Sequence, residues 1–209
     1  MSGIVVLSLP CAAFTIPMEP SLLLYPVILP LCPEHGSPGG PHQVEAQRRA
    51  AREALVQSCK ISGRPCGPFE KDARNVPLPF EGWYWSVSHK PQFVAAVVSA
   101  NPVGIDLEEI IPRANGLFRY VADDAEWALA GNREWETFFR YWTAKEAVLK
   151  ATGAGLRDLK KVRIQRVLNA DRLIVQYGIR QWGVQHYRFQ NHLASLTHDD
   201  DVRWTVIDR

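Results

Sequence analysis

With 209 residues, 46% of them apolar and 22% charged, the chain has ordinary globular composition and enough length for a substantial core, which excludes disordered and fibrous classes. A formal net charge of +2 excludes a broad basic field. No nucleic-acid and no membrane partner is therefore expected, and any basic site must be local.

The four cysteines, Cys11, Cys32, Cys59 and Cys66, form no CxxC pair and show no zinc spacing, so they read as reduced thiols of a cytoplasmic protein. Residues 1–33 are rich in Leu, Val, Ile and Pro, and no Lys or Arg precedes Arg48. A signal peptide would open on basic residues, and Pro10, Pro17, Pro20, Pro26 and Pro30 interrupt the run too often for a membrane helix. Strands joined by turns are expected there, followed by a loop at GSPGGP, 36–41. From Gln43 to Lys60, Val44, Ala51, Leu55 and Cys59 define the apolar face of a helix, with Arg48, Arg49 and Arg52 along a basic edge. Most such edges are simply solvated. Residues 62–82 are rich in Pro and Gly and read as an irregular loop that carries Arg64, Lys71 and Arg74.

WYWSVSH at 83–89 and FVAAVVS at 93–99 predict two strands, the second well buried. After the turn signal Ala100-Asn101-Pro102, VGIDLE at 103–108 predicts a third strand, paired with the second as a hairpin. Alternation puts Val103, Ile105 and Leu107 on one face and Gly104, Asp106 and Glu108 on the other. Two carboxylates therefore project side by side, and Gly104 is expected to leave room for a bulky ligand. A D-x-E alone is more often a harmless solvent-facing edge.

A short helix is expected at 123–130, with Asp123 or Asp124 as its cap. EWETFFRYWTAKEAVLKAT, 134–152, predicts the central helix, with Trp135, Phe138, Phe139, Trp142 and Leu149 at helical spacing and Gly153 as its stop. The next inward step falls on Lys145 or Glu146. A carboxylate in that stripe must be neutralised, paired or bound to metal. An exposed Glu146–Lys150 pair is the plainer reading. Strand-like segments follow, and the order of elements predicts an α+β fold, with two similar α/β halves as a possibility.

Magnesium needs hard oxygen ligands, usually one or two carboxylates with water and substrate phosphate. Asp106, Glu108 and Glu146 could supply them if the hairpin packs on the central helix. Lys145, Lys150 and the Ser88-His89-Lys90 turn add cations suited to a polyanionic substrate.

VGIDLE at 103–108 followed by WTAKEAVLK at 142–150 resembles the paired signatures of the 4′-phosphopantetheinyl transferases. SVSH at 86–89 is similar to that family's S-H segment, and EAQRRAAREAL at 45–55 to its early arginine helix. The spacing resembles the larger, monomeric, surfactin-synthetase-activating type. The resemblance implies a pseudo-two-fold fold with halves at 1–101 and 102–209. It also implies Mg (Mn possible), coenzyme A as substrate and an apo acyl or peptidyl carrier protein as partner. By position, Asp106, Glu108 and Glu146 would be metal ligands, Glu146 also the base, and Lys150 the pyrophosphate contact. Ser88 and His89, with Arg48, would hold the 3′-phosphate, and Arg74, with Arg64 as its rival, would add a nucleotide cation. Carrier docking is expected near 109–133. The competing classes are a non-catalytic binder of coenzyme A or carrier protein and a generic Mg-dependent phosphohydrolase.

Overall fold

The computed structural model describes residues 23–31, 40–198 and 201–207. The expected strands before residue 23, most of the 36–41 loop, and Cys11 and Cys32 lie outside these. Cys59 and Cys66 are unbridged.

The first sheet holds β1 (Val27–Pro30), β2 (Tyr84–His89), β3 (Phe93–Ser99) and β9 (Thr205–Val206), in the order β2-β3-β1-β9. β2 and β3 form an antiparallel hairpin running from Tyr84↔Ser99 to His89↔Val94, while β1 lies antiparallel to β3 and parallel to β9. The second sheet is an antiparallel array of β4 (Ile105–Glu109), β5 (Arg163–Val167), β6 (Arg172–Tyr177), β7 (Arg180–Phe189) and β8 (His192–Thr197), in the order β4-β8-β7-β6-β5. The fold is mixed α/β with two sheets.

Each sheet buries one face under a helix. Helix α1 (Pro41–Ser62) sets Ala50, Ala54, Leu55 and Cys59 against Val27, Leu29, Val94, Ala96 and Val98. Its basic edge stays in water, as the periodicity requires. Beyond β4 come α2 (Leu117–Val121), α3 (Asp124–Ala130) and α4 (Trp135–Thr152). Helix α3 starts in a capping box, with Asp123 Oδ1 accepting from Glu126 N–H and Glu126 Oε2 accepting from Asp123 N–H. Helix α4 lays Phe138, Phe139, Tyr141, Ala144, Val148 and Leu149 on the second sheet over Leu173, Val175, Val184 and Leu193. The opposite faces of the sheets share a third apolar cluster, with Ile28, Ala95 and Val97 meeting Ile105, Leu107, Ala194 and Leu196. The layers therefore run α1, first sheet, second sheet, α4. Among the described residues no helix is long and apolar enough to cross a membrane.

Two expectations need correction. β4 does not pair with β3. It crosses to the second sheet and pairs with β8 from Ile105↔Leu196 to Glu109↔His192. Its amides on the other side are met by hydroxyls of β2 instead: Ile105 N–H donates to Ser86 Oγ (3.0 Å) and Leu107 N–H to Ser88 Oγ (3.2 Å). These bonds satisfy the buried donors without a backbone ladder, so the two sheets meet along β2 and β4. Gly104 serves packing, not a ligand: a Cβ there would lie 1.8 Å from Ala147 O, so its absence lets α4 settle onto β4. Of the two residues the sequence left open, the fully inward one is Lys145 (1% exposed), while Glu146 is half-buried.

Candidate active site

Packing α4 onto β4 brings the acidic residues of β4 beneath the polar edge of the helix. Asp106 and Glu108 are buried, at 5% and 7% exposure. Asp106 Oδ1 accepts from Lys150 Nζ (2.8 Å) and from Ser88 Oγ (2.9 Å). Glu108 Oε1 accepts from Trp142 Nε1 (3.0 Å) and ion-pairs with Lys90 Nζ (2.7 Å). Each carboxylate therefore has one oxygen held by a lysine and a neutral donor. The other oxygens, Asp106 Oδ2 and Glu108 Oε2, are buried without a hydrogen-bond partner. Arg113 Nη2 stands 3.6 Å from Glu108 Oε2.

Glu146 of α4 feels the charge of both acids. Its pKa is raised to about 7, first by burial, then by the charge of Asp106, with Glu108 adding to the rise and Lys150 and Lys90 opposing it. Buried carboxylate oxygens that accept no hydrogen bond are the kind of donor a hard cation takes. Among the described residues, no group of three His, Cys, Asp or Glu side chains is arranged to hold a metal ion. With Lys90 and Lys150 on the acids, the present arrangement answers negative charge with ammonium.

Lys150 spends all three of its protons, on Asp106 Oδ1, Ile105 O (3.0 Å) and Val87 O (3.3 Å). It thus ties α4 to a strand of each sheet. Beside it opens a cleft of about 550 Å³ between the 71–77 loop, β2 and the 149–157 segment, lined in part by Lys71, Arg74, Val87, Lys150 and Leu156. A second groove of about 580 Å³ runs between α1 and β2, with Arg48, Arg52, Phe69, Lys71, Trp85 and His89 in its walls. Lys71, Asn75 and Val87 border both, so the two share a wall.

His89 and Arg48 thus share one groove. The His89 pKa is lowered, by loss of water around the ring first and then by Lys150, Lys71 and Lys90. Ser88 points the other way, donating to Asp106 and accepting from Leu107 N–H, and so orders Asp106. Arg74 lies on the cleft wall, but its side chain is 77% exposed and bound to Asp72. Arg64 is remote: its guanidinium donates to Val98 O (2.9 Å) and Leu23 O (3.3 Å) and lies over the Trp83 ring.

The residue that sequence reasoning passed over is Lys71. Its pKa is lowered by burial, then by Lys150 and Arg48, which puts it between the two grooves' cations. Only its presence in the same loop as Arg74 marked it beforehand. Lys145, left undecided by the sequence, is structural: its ammonium is 2.7 Å from Glu126 Oε1 and donates to Val121 O (2.7 Å).

Residues 102–206 match the family model of the 4′-phosphopantetheinyl transferase superfamily. Among curated proteins, the chain is 32% identical over 111 residues to 4′-phosphopantetheinyl transferase gsp of Aneurinibacillus migulanus, covering 50% of this chain and 46% of that one. It is 32% identical over 119 residues to 4′-phosphopantetheinyl transferase psf-1 of Bacillus pumilus, covering 55% and 47%. It is 29% identical over 116 residues to 4′-phosphopantetheinyl transferase HetI of Nostoc sp., covering 46% of each. The aligned region spans about half the length of these curated relatives.

Proposed function

The chain belongs to the 4′-phosphopantetheinyl transferase superfamily, and from that premise we propose that it transfers the 4′-phosphopantetheine arm of coenzyme A to a serine of an apo acyl or peptidyl carrier protein, releasing 3′,5′-ADP. The observation that carries this reading is the pair of buried oxygens that accept no hydrogen bond, Asp106 Oδ2 and Glu108 Oε2, near a carboxyl with a pKa of about 7.

Asp106, Glu108 and Glu146 would hold magnesium, or manganese in its place. Bound there, the ion would neutralise charge on the pyrophosphate. Glu146 takes the proton of the carrier serine as its oxygen attacks the β-phosphorus; a pKa near neutrality suits a general base. The bond from that phosphorus to the bridging oxygen breaks, and the leaving nucleotide keeps the electron pair. Lys150 supplies positive charge at the cleft floor. His89 and Arg48 receive the 3′-phosphate in the groove along α1, with Lys71 in the position expected of Arg74 and Ser88 acting through Asp106.

The finer architecture belongs to the same proposal. Residues 1–101 and 102–209 are two similar halves in a pseudo-two-fold arrangement, with coenzyme A along their seam, and the protein acts as a cytoplasmic monomer. The carrier docks near 109–133, where Ile111 and Tyr120 are exposed beside Arg113 and Arg119.

The test is intact mass. Incubation with coenzyme A, Mg²⁺ and an apo carrier should add roughly 340 Da, the mass of the arm, to the carrier. Glu146→Gln should lower the transfer rate by about 10²-fold or more with the fold retained. A carrier of unchanged mass would leave a non-catalytic binder, and phosphate release without carrier would indicate a phosphohydrolase.

A further inference from the structure

Asp106 and Glu108 are treated alike by the fold, but their lysines differ. Lys150 shares its protons between Asp106 and two backbone carbonyls. Lys90 directs its ammonium at Glu108 Oε1. It is carried by the tight β2–β3 turn, where its N–H donates to Phe93 O (2.8 Å) and its carbonyl accepts from Gln47 Nε2 of α1 (3.5 Å). Anchored from two directions, and with a side chain only 28% exposed, this cation is fixed against the acidic group. Trp142 Nε1 already orients the same oxygen, so aiming Glu108 does not need the lysine's charge.

A divalent ion approaching Asp106 Oδ2 and Glu108 Oε2 meets two carboxylates already answered by Lys150 and Lys90, with Arg113 Nη2 3.6 Å from Glu108 Oε2 as a third, more exposed cation. It also meets the repulsion of a nearby positive charge in a partly desolvated site. An anionic pyrophosphate arriving with the ion restores the missing negative charge. We propose that Lys90 is a resident counter-cation, a positioning residue that makes tight divalent binding depend on the anionic substrate. This inference rests on the assignment of Asp106 and Glu108 as metal ligands.

The test uses Mn²⁺ alone as probe, with free ion followed by electron paramagnetic resonance, on the full chain and on Lys90→Met, Lys90→Gln and Lys90→Arg. Circular-dichroism melts identify which variants are folded. Lys90→Met, or Lys90→Gln should the first not fold, tightens Mn²⁺ binding to the nucleotide-free protein by roughly tenfold, and Lys90→Arg keeps the parental affinity. With coenzyme A present the difference between variants shrinks. Unchanged or weaker Mn²⁺ binding in the neutral variants overturns the proposal, as does the absence of Mn²⁺ binding in all four proteins. Carrier mass, measured separately, tests the transferase reading. Tightened Mn²⁺ binding without transfer keeps the role of Lys90 and removes that reading; transfer with unaltered Mn²⁺ binding does the reverse.

Discussion

Glu126 is 2% exposed and has a partner on every side. Oε1 accepts from Ile164 N–H (2.8 Å) and meets Lys145 Nζ, while Oε2 accepts from Asp123 N–H (3.2 Å) and meets Arg163 Nη1 (3.2 Å). Removing one member of such a pair strands a charge in the core. Glu126→Leu should therefore cost about 3–5 kcal/mol in urea denaturation, and Glu126→Leu with Lys145→Met should recover much of it. A double variant no more stable than the single one would show that the ammonium was not the stranded group. In the cleft, Lys71→Ala should raise KM for coenzyme A by roughly tenfold with kcat nearly unchanged, the loss of one charged contact. Arg74→Ala should leave both almost untouched, since that side chain is mostly in water and bound to Asp72. Equal effects in the two variants would return the nucleotide cation to Arg74.

At the scale of elements, the joint between β4 and α4 leaves no space. Gly104→Ala must push its new methyl into Ala147 O. It should lower stability by about 3 kcal/mol or more, seen as a lower urea midpoint at unchanged slope, and should reduce transfer because Asp106 and Glu108 ride on the same strand. The elements themselves were legible: periodicity located α1, β2, β3 and α4 to within a residue or two. What alternation cannot state is a strand's partner. The residues from Val103 to Glu108 show which side chains share a face, but the swap of backbone acceptors for Ser86 and Ser88 hydroxyls leaves no mark in hydrophobic pattern. Adjacent Lys145 and Glu146 pose the same difficulty. A helix turns about 100° between neighbours, and which of them faces inward was decided by Glu126, a partner from α3. The loop at 62–82 has no period at all, so Lys71 and Arg74 could be separated only by seeing where each side chain goes. The family signatures, by contrast, named Asp106 and Lys150, which the structure joins at 2.8 Å.

Across the whole molecule, the layers also hide a titratable histidine that lines neither groove. His186 of β7 is 4% exposed; its Nδ1 lies 2.7 Å from Ser195 Oγ, which is 2.5 Å from Thr143 Oγ1 of α4. Burial first, with the charge of Arg140 second, pushes its pKa down to about 3. The folded protein therefore keeps this ring neutral, whereas the unfolded chain protonates it near 6.5. The stabilising contribution is complete above that value and is lost as pH falls towards 3, at about 1.4 kcal/mol per pH unit. Between pH 7 and pH 5 the protein should lose about 2 kcal/mol from this group alone. His186→Gln should flatten the slope by one proton; an unchanged slope would mean that another group governs acid unfolding, and His192, whose pKa burial also lowers, would be next to test.

Lys150 gives the architecture a mechanical side. Its ammonium grips Val87 of one sheet and Ile105 of the other, and no proton is left over for a visitor. A phosphate that recruits this lysine must displace one of those three acceptors. Binding there would be offset by the bond it replaces, so the lysine's affinity for phosphate is set by the strands it already holds.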